Sequence, residues 1–217
     1  TNRGGFGLNV STLFGRDVGR FPRWNGTTFE VANENDFKND QIIDGSGNLL
    51  DSVDINLPGG STISTTQLEN IKGNRDFVER KDEVYDVFKE VTDKHDIEYP
   101  GDLVNDLIDQ SSVVIMKLKN YFNRPRPKDL AEQFNIKLDN YELNSMKTPS
   151  YPSGHSAQGI LVARVLSDKY PIAAEEFLKA GKDISFSRNV AKAHYKSDSA
   201  LGEMLGNAMY KHVKDKV

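Results

Sequence analysis

The sequence predicts a mainly α-helical protein, a helical bundle preceded by an irregular N-terminal arm. From about Gln67 onward, apolar residues recur at three- and four-residue steps, which is the period of an amphipathic helix. Before that point, Gly, Asn, Asp, Ser and Thr are scattered through short stretches without such a period, as is typical of turns. We therefore divide the chain into an irregular arm, residues 1–70, and a helical domain, residues 71–217.

Apolar periodicity and flanking signals predict five helices. The first begins near Gln67 and carries Phe77, Val84, Phe88 and Val91 on one side. The second ends before Pro125 and Pro127, because proline lacks an N–H and disfavours a helical conformation of the residue before it. The predicted spans after the first are 104–122, about 153–169, a helix that starts after Pro171 and includes Phe177 and Leu178, and about 197–213.

Composition sets limits on function. The 217 residues are 37% hydrophobic and 28% charged, which is ordinary for a globular domain with an extension. The absence of cysteine excludes disulfides, thiolate metal sites and a cysteine nucleophile. A net charge of −4 provides no overall field that would attract nucleic acid.

The longest apolar runs, for example residues 112–116, are much shorter than the roughly 18 residues that a membrane span needs. We therefore expect a soluble protein without a transmembrane segment. Its compartment stays open between the cytoplasm and, after processing, the periplasm or the exterior. A homo-oligomer is compatible with a bundle of this size, but no sequence feature requires one.

A basic segment, residues 117–128, is the first candidate for a binding site. Its five cations are accompanied by no acidic residue, so it can attract an anion even on an acidic protein. The alternative is a solvated surface patch. The cations are Lys117, Lys119, Arg124, Arg126 and Lys128.

A second candidate is the start of the third helix. Ser153 precedes the apolar period and is suited to cap the helix, whose free N–H groups would bind an anion beside Gly154 and His155. The alternative is an ordinary cap followed by a surface histidine. In a third segment, residues 187–198, His194 lies four residues before Asp198, which would orient the ring of a histidine that acts as base or nucleophile. A structural Asp–His pair is the alternative there.

Taken together, the three segments favour a phosphoryl-transfer site, because they supply cations for phosphoryl oxygens together with two histidines and a carboxylate. Their spacing resembles the signature of the type 2 phosphatidic acid phosphatase (PAP2) superfamily, which includes bacterial class A non-specific acid phosphatases and vanadium haloperoxidases. The signature is a lysine, six intervening residues and Arg-Pro, then Pro-Ser-Gly-His, then Ser-Arg, five residues, His, three residues and Asp. It corresponds here to Lys119 with 126–127, 152–155, and 187–188 with His194 and Asp198. The arm is not covered.

Two lysines fit the first motif, because Lys117 with Arg124 has the same spacing as Lys119 with Arg126. At 100° per residue from Val104, Lys119 falls at about 60°, beside the apolar face, and Lys117 at about 220°. We therefore prefer Lys119 and Arg126, with Arg124 as a supporting cation.

The resemblance implies roles for eight residues. His194 would attack phosphorus and form a phosphohistidine, Asp198 would orient its ring, and His155 would protonate the leaving group. The phosphoryl oxygens would be held by Lys119, Arg126, Ser153, Gly154 and Arg188. No metal or cofactor is implied, and His95 and His212 are interpreted as surface residues.

The implied function is metal-independent hydrolysis of a small-molecule phosphomonoester, with a lipid phosphate left open as substrate. One alternative is a vanadate-dependent haloperoxidase, in which vanadate would be the cofactor. An alternative of another class is a phosphate-binding structural or interaction protein with little turnover, in which the arm would dock a partner.

Overall fold

The computed structural model describes residues 5–14, 23–24, 29–30, 75–133 and 141–217. In the first three of these ranges lie a short helix, α1 (Val10–Phe14), and two strands, β1 (Arg23–Trp24) and β2 (Phe29–Glu30), which pair antiparallel. Most of the predicted arm lies outside the described residues. The division of the chain at residue 71 therefore stays a prediction.

The prediction of a mainly α-helical fold is confirmed, because helices dominate the rest of the described chain. Short 3₁₀ helices cover Asn144–Lys147 and Pro171–Ala173. None of the described helices is long and apolar enough to cross a bilayer. The α-helices are α2 (Arg75–Arg80), α3 (Val84–Lys94), α4 (Gly101–Phe122), α5 (Pro127–Gln133), α6 (Gly154–Lys169), α7 (Ala174–Val190) and α8 (Lys196–Val213).

One predicted helix differs in the structure. The period through Phe77, Val84 and Phe88 belongs to two helices, α2 and α3, which are separated by residues 81–83. The backbone N–H of Asp82 bonds to the Glu79 carbonyl, three residues back, so α2 ends in a tight turn. The three residues of the break are all charged and supply no side chain to the apolar face.

Helix α6 lies at the centre of the bundle and packs closely against α7 and α8. At the α8 contact, a Cβ on Gly202 would come within 2.5 Å of the Ser153 carbonyl oxygen, and one on Gly206 within 2.5 Å of the Ala157 carbonyl oxygen. Only glycine permits this approach. The backbone N–H of Ser153 also donates to the Asp198 carbonyl at 2.9 Å, so the starts of α6 and α8 are held together.

The apolar core is shared by α3, α4, α6, α7 and α8. Each helix contributes fully buried residues, for example Phe88, Leu107, Leu161, Phe177 and Leu205. The burial of one such side chain stabilises the fold by about 1.5–3 kcal/mol. Because the core lies along the helices, polar residues near the helix ends are left to form a site.

The N-terminal residues that the structure describes also join this core. Leu8 and Val10 are buried in it. The Phe6 carbonyl accepts hydrogen bonds from His212 Nε2 at 2.9 Å and Lys216 Nζ at 3.0 Å, both near the end of α8. This part of the chain is therefore docked against the C-terminal helix.

Candidate active site

A cavity of about 150 Å³ lies where α4, α6 and α7 approach the segment between α7 and α8. Six of the eight predicted site residues line it, although they come from distant parts of the chain. Ser153 and Asp198 do not line it. The six are Lys119, Arg126, Gly154, His155, Arg188 and His194.

His194 lies in the short link between α7 and α8 and is 3% exposed. Its Nε2 faces Arg126 Nη1 at 3.1 Å, and its Nδ1 faces Asp198 Oδ2 at 3.2 Å. Since a guanidinium can only donate, Nε2 accepts this bond and the ring proton resides on Nδ1. Burial, strengthened by the positive charges of Arg126 and Lys119, lowers the pKa of His194 to about 3, against the opposing effect of Asp198. His194 is therefore neutral, with its lone pair on the cavity side.

Asp198 lies behind His194, in the first turn of α8, and is fully buried. Its carboxylate accepts bonds from the Tyr195 backbone N–H at 2.9 Å, from Arg124 Nη1 at 2.9 Å and from the Ser150 hydroxyl. Burial raises the pKa of this carboxyl, but Arg124 and the hydrogen bonds from His194 and Ser150 outweigh burial and lower it. The ionised carboxylate thus holds the Nδ1 proton of His194.

Arg124 and Arg126 are two residues apart but have different partners. Arg126 lines the cavity, and the carbonyl oxygens of Ala193 and Thr148 accept bonds from its Nη1 and Nε at 2.9 and 2.8 Å. Arg124 instead pairs with Asp198 and stacks on Tyr195, with its guanidinium carbon 4.1 Å from the ring centre. Arg126 can therefore reach a ligand directly, whereas Arg124 acts on the carboxylate.

The two candidate lysines of the first motif also differ in their exposure to solvent. Lys119 is 4% exposed and lines the cavity, and its Nζ donates to the Pro149 carbonyl at 2.5 Å. Lys117 is exposed, as the helix-face argument expects. Burial and the nearby charge of Arg126 lower the pKa of Lys119 to about 7, despite the opposing charge of Asp198. An anion in the cavity would favour the protonated lysine.

Arg188 projects from the last turn of α7 and is 1% exposed. Its Nη1 donates to Asp82 Oδ1 at 2.6 Å, its Nη2 to the Val78 carbonyl at 3.1 Å, and its Nε to the Ser187 hydroxyl at 3.0 Å. Burial lowers the pKa of Arg188, against the opposing effect of Asp82. The guanidinium is therefore anchored on α2 and on the turn that follows it.

The start of α6 adds a backbone contribution. Ser153 is the N-cap, and its Oγ accepts bonds from the Ser156 backbone N–H at 3.2 Å and from the Ser156 hydroxyl at 2.9 Å. Ser153 is buried and does not line the cavity, so its predicted contact with a phosphoryl group stays a prediction. Gly154 does line the cavity, at a helix N-terminus that favours anions.

His155 lies on the first turn of α6 and is held from the other side of the cavity. Its Nε2 donates to the backbone carbonyl of Asp82 at 2.7 Å and lies 3.4 Å from the Asp82 carboxylate. Since a carbonyl can only accept, the proton of the neutral ring is on Nε2. The side chain is 19% exposed, so water can reach it.

Sequence reasoning missed Asp82, which contacts both His155 and Arg188. Burial raises the pKa of its carboxyl, but the hydrogen bond from His155 and the charge of Arg188 outweigh burial and lower the pKa to about 2. No pattern distinguishes it, because it lies among charged residues in a stretch that resembles a helix face. The other residues that line the cavity are uncharged, and the sequence did not single them out as site residues either. They are Ser112, Ile115, Met116, Ser145, Thr148, Gln158 and Ala193.

The other two histidines do not line this cavity. His95 pairs with Glu176 at 2.8 Å, and His212 bonds to the Phe6 carbonyl. Over the described ranges, the structure contains no group of three histidines or carboxylates that could hold a metal ion.

Comparisons with known proteins agree with the family resemblance of the three sequence segments. Residues 107–214 match the model of the PAP2 superfamily. The chain is 38% identical over 88 residues to a non-specific acid phosphatase of Salmonella typhimurium (strain LT2) and 36% identical over 88 residues to one of Salmonella typhi. It is 35% identical over 94 residues to an acid phosphatase of Zymomonas mobilis. These alignments cover 41–43% of this chain and 35% of each relative, so the chain spans about a third of their length.

Proposed function

We propose, from the premise that residues 107–214 belong to the PAP2 superfamily, that the chain hydrolyses small phosphomonoesters through a phosphohistidine intermediate and without a metal ion. The observation that carries this proposal is the neutral His194, whose Nε2 lone pair faces a cavity lined by Lys119, Arg126 and Arg188. The names of the relatives, which are acid phosphatases, support the same class of reaction.

In the first step, the phosphoryl group enters the cavity and takes over the hydrogen bond that Arg126 donates to His194. Nε2 attacks phosphorus, the P–N bond forms and the ester P–O bond breaks. The protonated form of His155, whose Nε2–H stays bonded to the Asp82 carbonyl, donates its Nδ1 proton to the departing oxygen. Asp198 stabilises the positive charge that the ring of His194 acquires, because its carboxylate holds the Nδ1 proton.

In the second step, water replaces the alcohol. His155, now neutral, accepts a proton from this water as its oxygen attacks phosphorus, and the P–N bond breaks. Inorganic phosphate leaves, and both histidines return to their starting states. The partial exposure of His155 allows the alcohol and the water to exchange on its side of the cavity.

The cations perform the electrostatic work. Lys119, Arg126 and Arg188 face the three phosphoryl oxygens that gain negative charge in the transition state. A divalent ion fulfils this role in many phosphatases. The cavity, of about 150 Å³, has room for a phosphoryl group.

The test is hydrolysis of para-nitrophenyl phosphate from acid to neutral pH, with and without a chelator. We expect chelator-resistant activity that vanadate inhibits, that His194→Ala abolishes and that the control His95→Ala preserves. Mass spectrometry after base quenching should locate the phosphoryl group on His194. Hydrolysis that stops with the chelator would contradict metal independence, and phosphate binding without hydrolysis would favour the binding-protein alternative. Bromide oxidation by peroxide after vanadate loading would favour the haloperoxidase.

A further inference from the structure

The turn between α2 and α3, residues 81–83, lies outside the segment that matches the family model. Its central residue, Asp82, contacts three residues that line the cavity. Its Oδ1 accepts bonds from Arg188 Nη1 at 2.6 Å and from the Ser145 hydroxyl at 3.2 Å, and its backbone carbonyl accepts the bond from His155 at 2.7 Å. One residue thus links α6, α7 and the 3₁₀ helix Asn144–Lys147 around the site.

The bonds to Arg188 determine where its guanidinium points. Asp82 Oδ1 accepts a hydrogen bond from Nη1, and the Val78 carbonyl accepts one from Nη2 at 3.1 Å. The end of α2 and the turn therefore fix both terminal nitrogens of the planar guanidinium. A free arginine side chain loses rotamer entropy when it is ordered. Because Asp82 orders Arg188 before a ligand arrives, less of this cost remains at binding.

The bond to His155 determines its tautomer. The Asp82 carbonyl accepts a hydrogen bond from Nε2–H, and the Asp82 carboxylate lies 3.4 Å from the same nitrogen. Both contacts come from one residue because the chain turns at 81–83 and does not continue as a helix.

We propose that Asp82 is a positioning residue, whose carboxylate aims Arg188 at the phosphoryl group and whose carbonyl orients the ring of His155. The unit that performs the reaction then begins before residue 107 and includes the α2–α3 turn. This inference rests on the proposed function, because Arg188 and His155 take their roles from it.

The experiment compares Asp82→Ala and Asp82→Asn with Glu83→Gln, the neighbouring exposed carboxylate, in the full chain. For each variant we would measure kcat and KM for para-nitrophenyl phosphate, the dissociation constant of inorganic phosphate by calorimetry, and thermal unfolding. Asp82→Ala should raise KM and the phosphate dissociation constant about tenfold and lower kcat about tenfold or more. Asp82→Asn should recover part of the lost phosphate affinity and part of the lost kcat, since its amide oxygen can accept a hydrogen bond from Arg188. Glu83→Gln should match the unaltered protein.

A merely structural role would reduce the folded fraction without changing KM or the dissociation constant, and that result for Asp82→Ala would overturn the inference. If the unaltered protein binds phosphate but hydrolyses nothing, the proposed function fails. The phosphate affinity of Asp82→Ala then still decides whether Asp82 positions Arg188. If the unaltered protein binds no phosphate, both proposals are overturned.

Discussion

His194 and His155 line the same cavity but are held in different ways. His194 is 3% exposed, sits between the charges of Arg126 and Asp198, and remains neutral because its pKa is lowered to about 3. The His155 side chain is 19% exposed and bonds to a backbone carbonyl beside a half-buried carboxylate. The first arrangement suits a nucleophile with a permanent lone pair, and the second suits a group that exchanges protons with water.

The largest effect that we expect follows from this difference. The loss of kcat should depend on the leaving group when His155 is replaced but not when His194 is replaced. His194→Ala should lower kcat at least about 10³-fold for every substrate, because the P–N bond of the proposed intermediate cannot form. His155→Ala should lower kcat about 10²–10³-fold for an alkyl phosphate but much less for para-nitrophenyl phosphate, whose leaving group departs without a proton. Steady-state rates with both substrates test this, and an equal loss on both in His155→Ala would contradict the assigned roles.

Replacement of a cation on the His194 side of the cavity should have a smaller effect on activity. Lys119→Met should lower kcat/KM about 10²-fold, because it removes a buried charge from the cavity wall. Lys117→Met, two residues away and exposed, should change it less than about twofold. Equal losses in the two variants would show that the helix face does not select the functional lysine.

The buried charge network behind His194 should also matter for stability. Arg124→Met removes the partner of the buried Asp198 carboxylate and should lower the free energy of unfolding by about 3–5 kcal/mol. Lys89→Met breaks an exposed pair with Asp93 and should cost less than about 1 kcal/mol. Urea unfolding measures both values. A cost for Arg124→Met as small as for the control would mean that Asp198 needs no ion pair.

The smallest effect concerns pH. An unfolded chain protonates His194 near pH 6.5, whereas the folded protein keeps it neutral down to about pH 3. Between these values the unfolded state binds more protons, so stability falls as the pH is lowered and is fully present above about 6.5. The slope from this one group is at most about 1.4 kcal/mol per pH unit. Unfolding at pH 7 and pH 5 should show a smaller drop for His194→Gln, and an unchanged drop would contradict the neutral state.

Much of this site could be predicted because it follows from regular helices. The period of α4 distinguished the orientation of Lys119 from that of Lys117, and the observed burial agrees. The spacing of His194 and Asp198 predicted that their side chains would meet, and they do. The predicted contact of Ser153 with the ligand stays a prediction, because the structure shows its Oγ only as the acceptor of two bonds from Ser156.

The sequence by itself determined the helical class, the three segments that meet at the cavity and the face of α4 that carries Lys119, since these depend on periods and spacings within a few turns. Only the tertiary structure decided that the helix near residue 80 breaks, that Arg124 serves Asp198, and that Asp82 supports Arg188 and His155. These contacts join residues 73–106 positions apart. Such partners are chosen by packing over the whole bundle, and local sequence carries no signal for them.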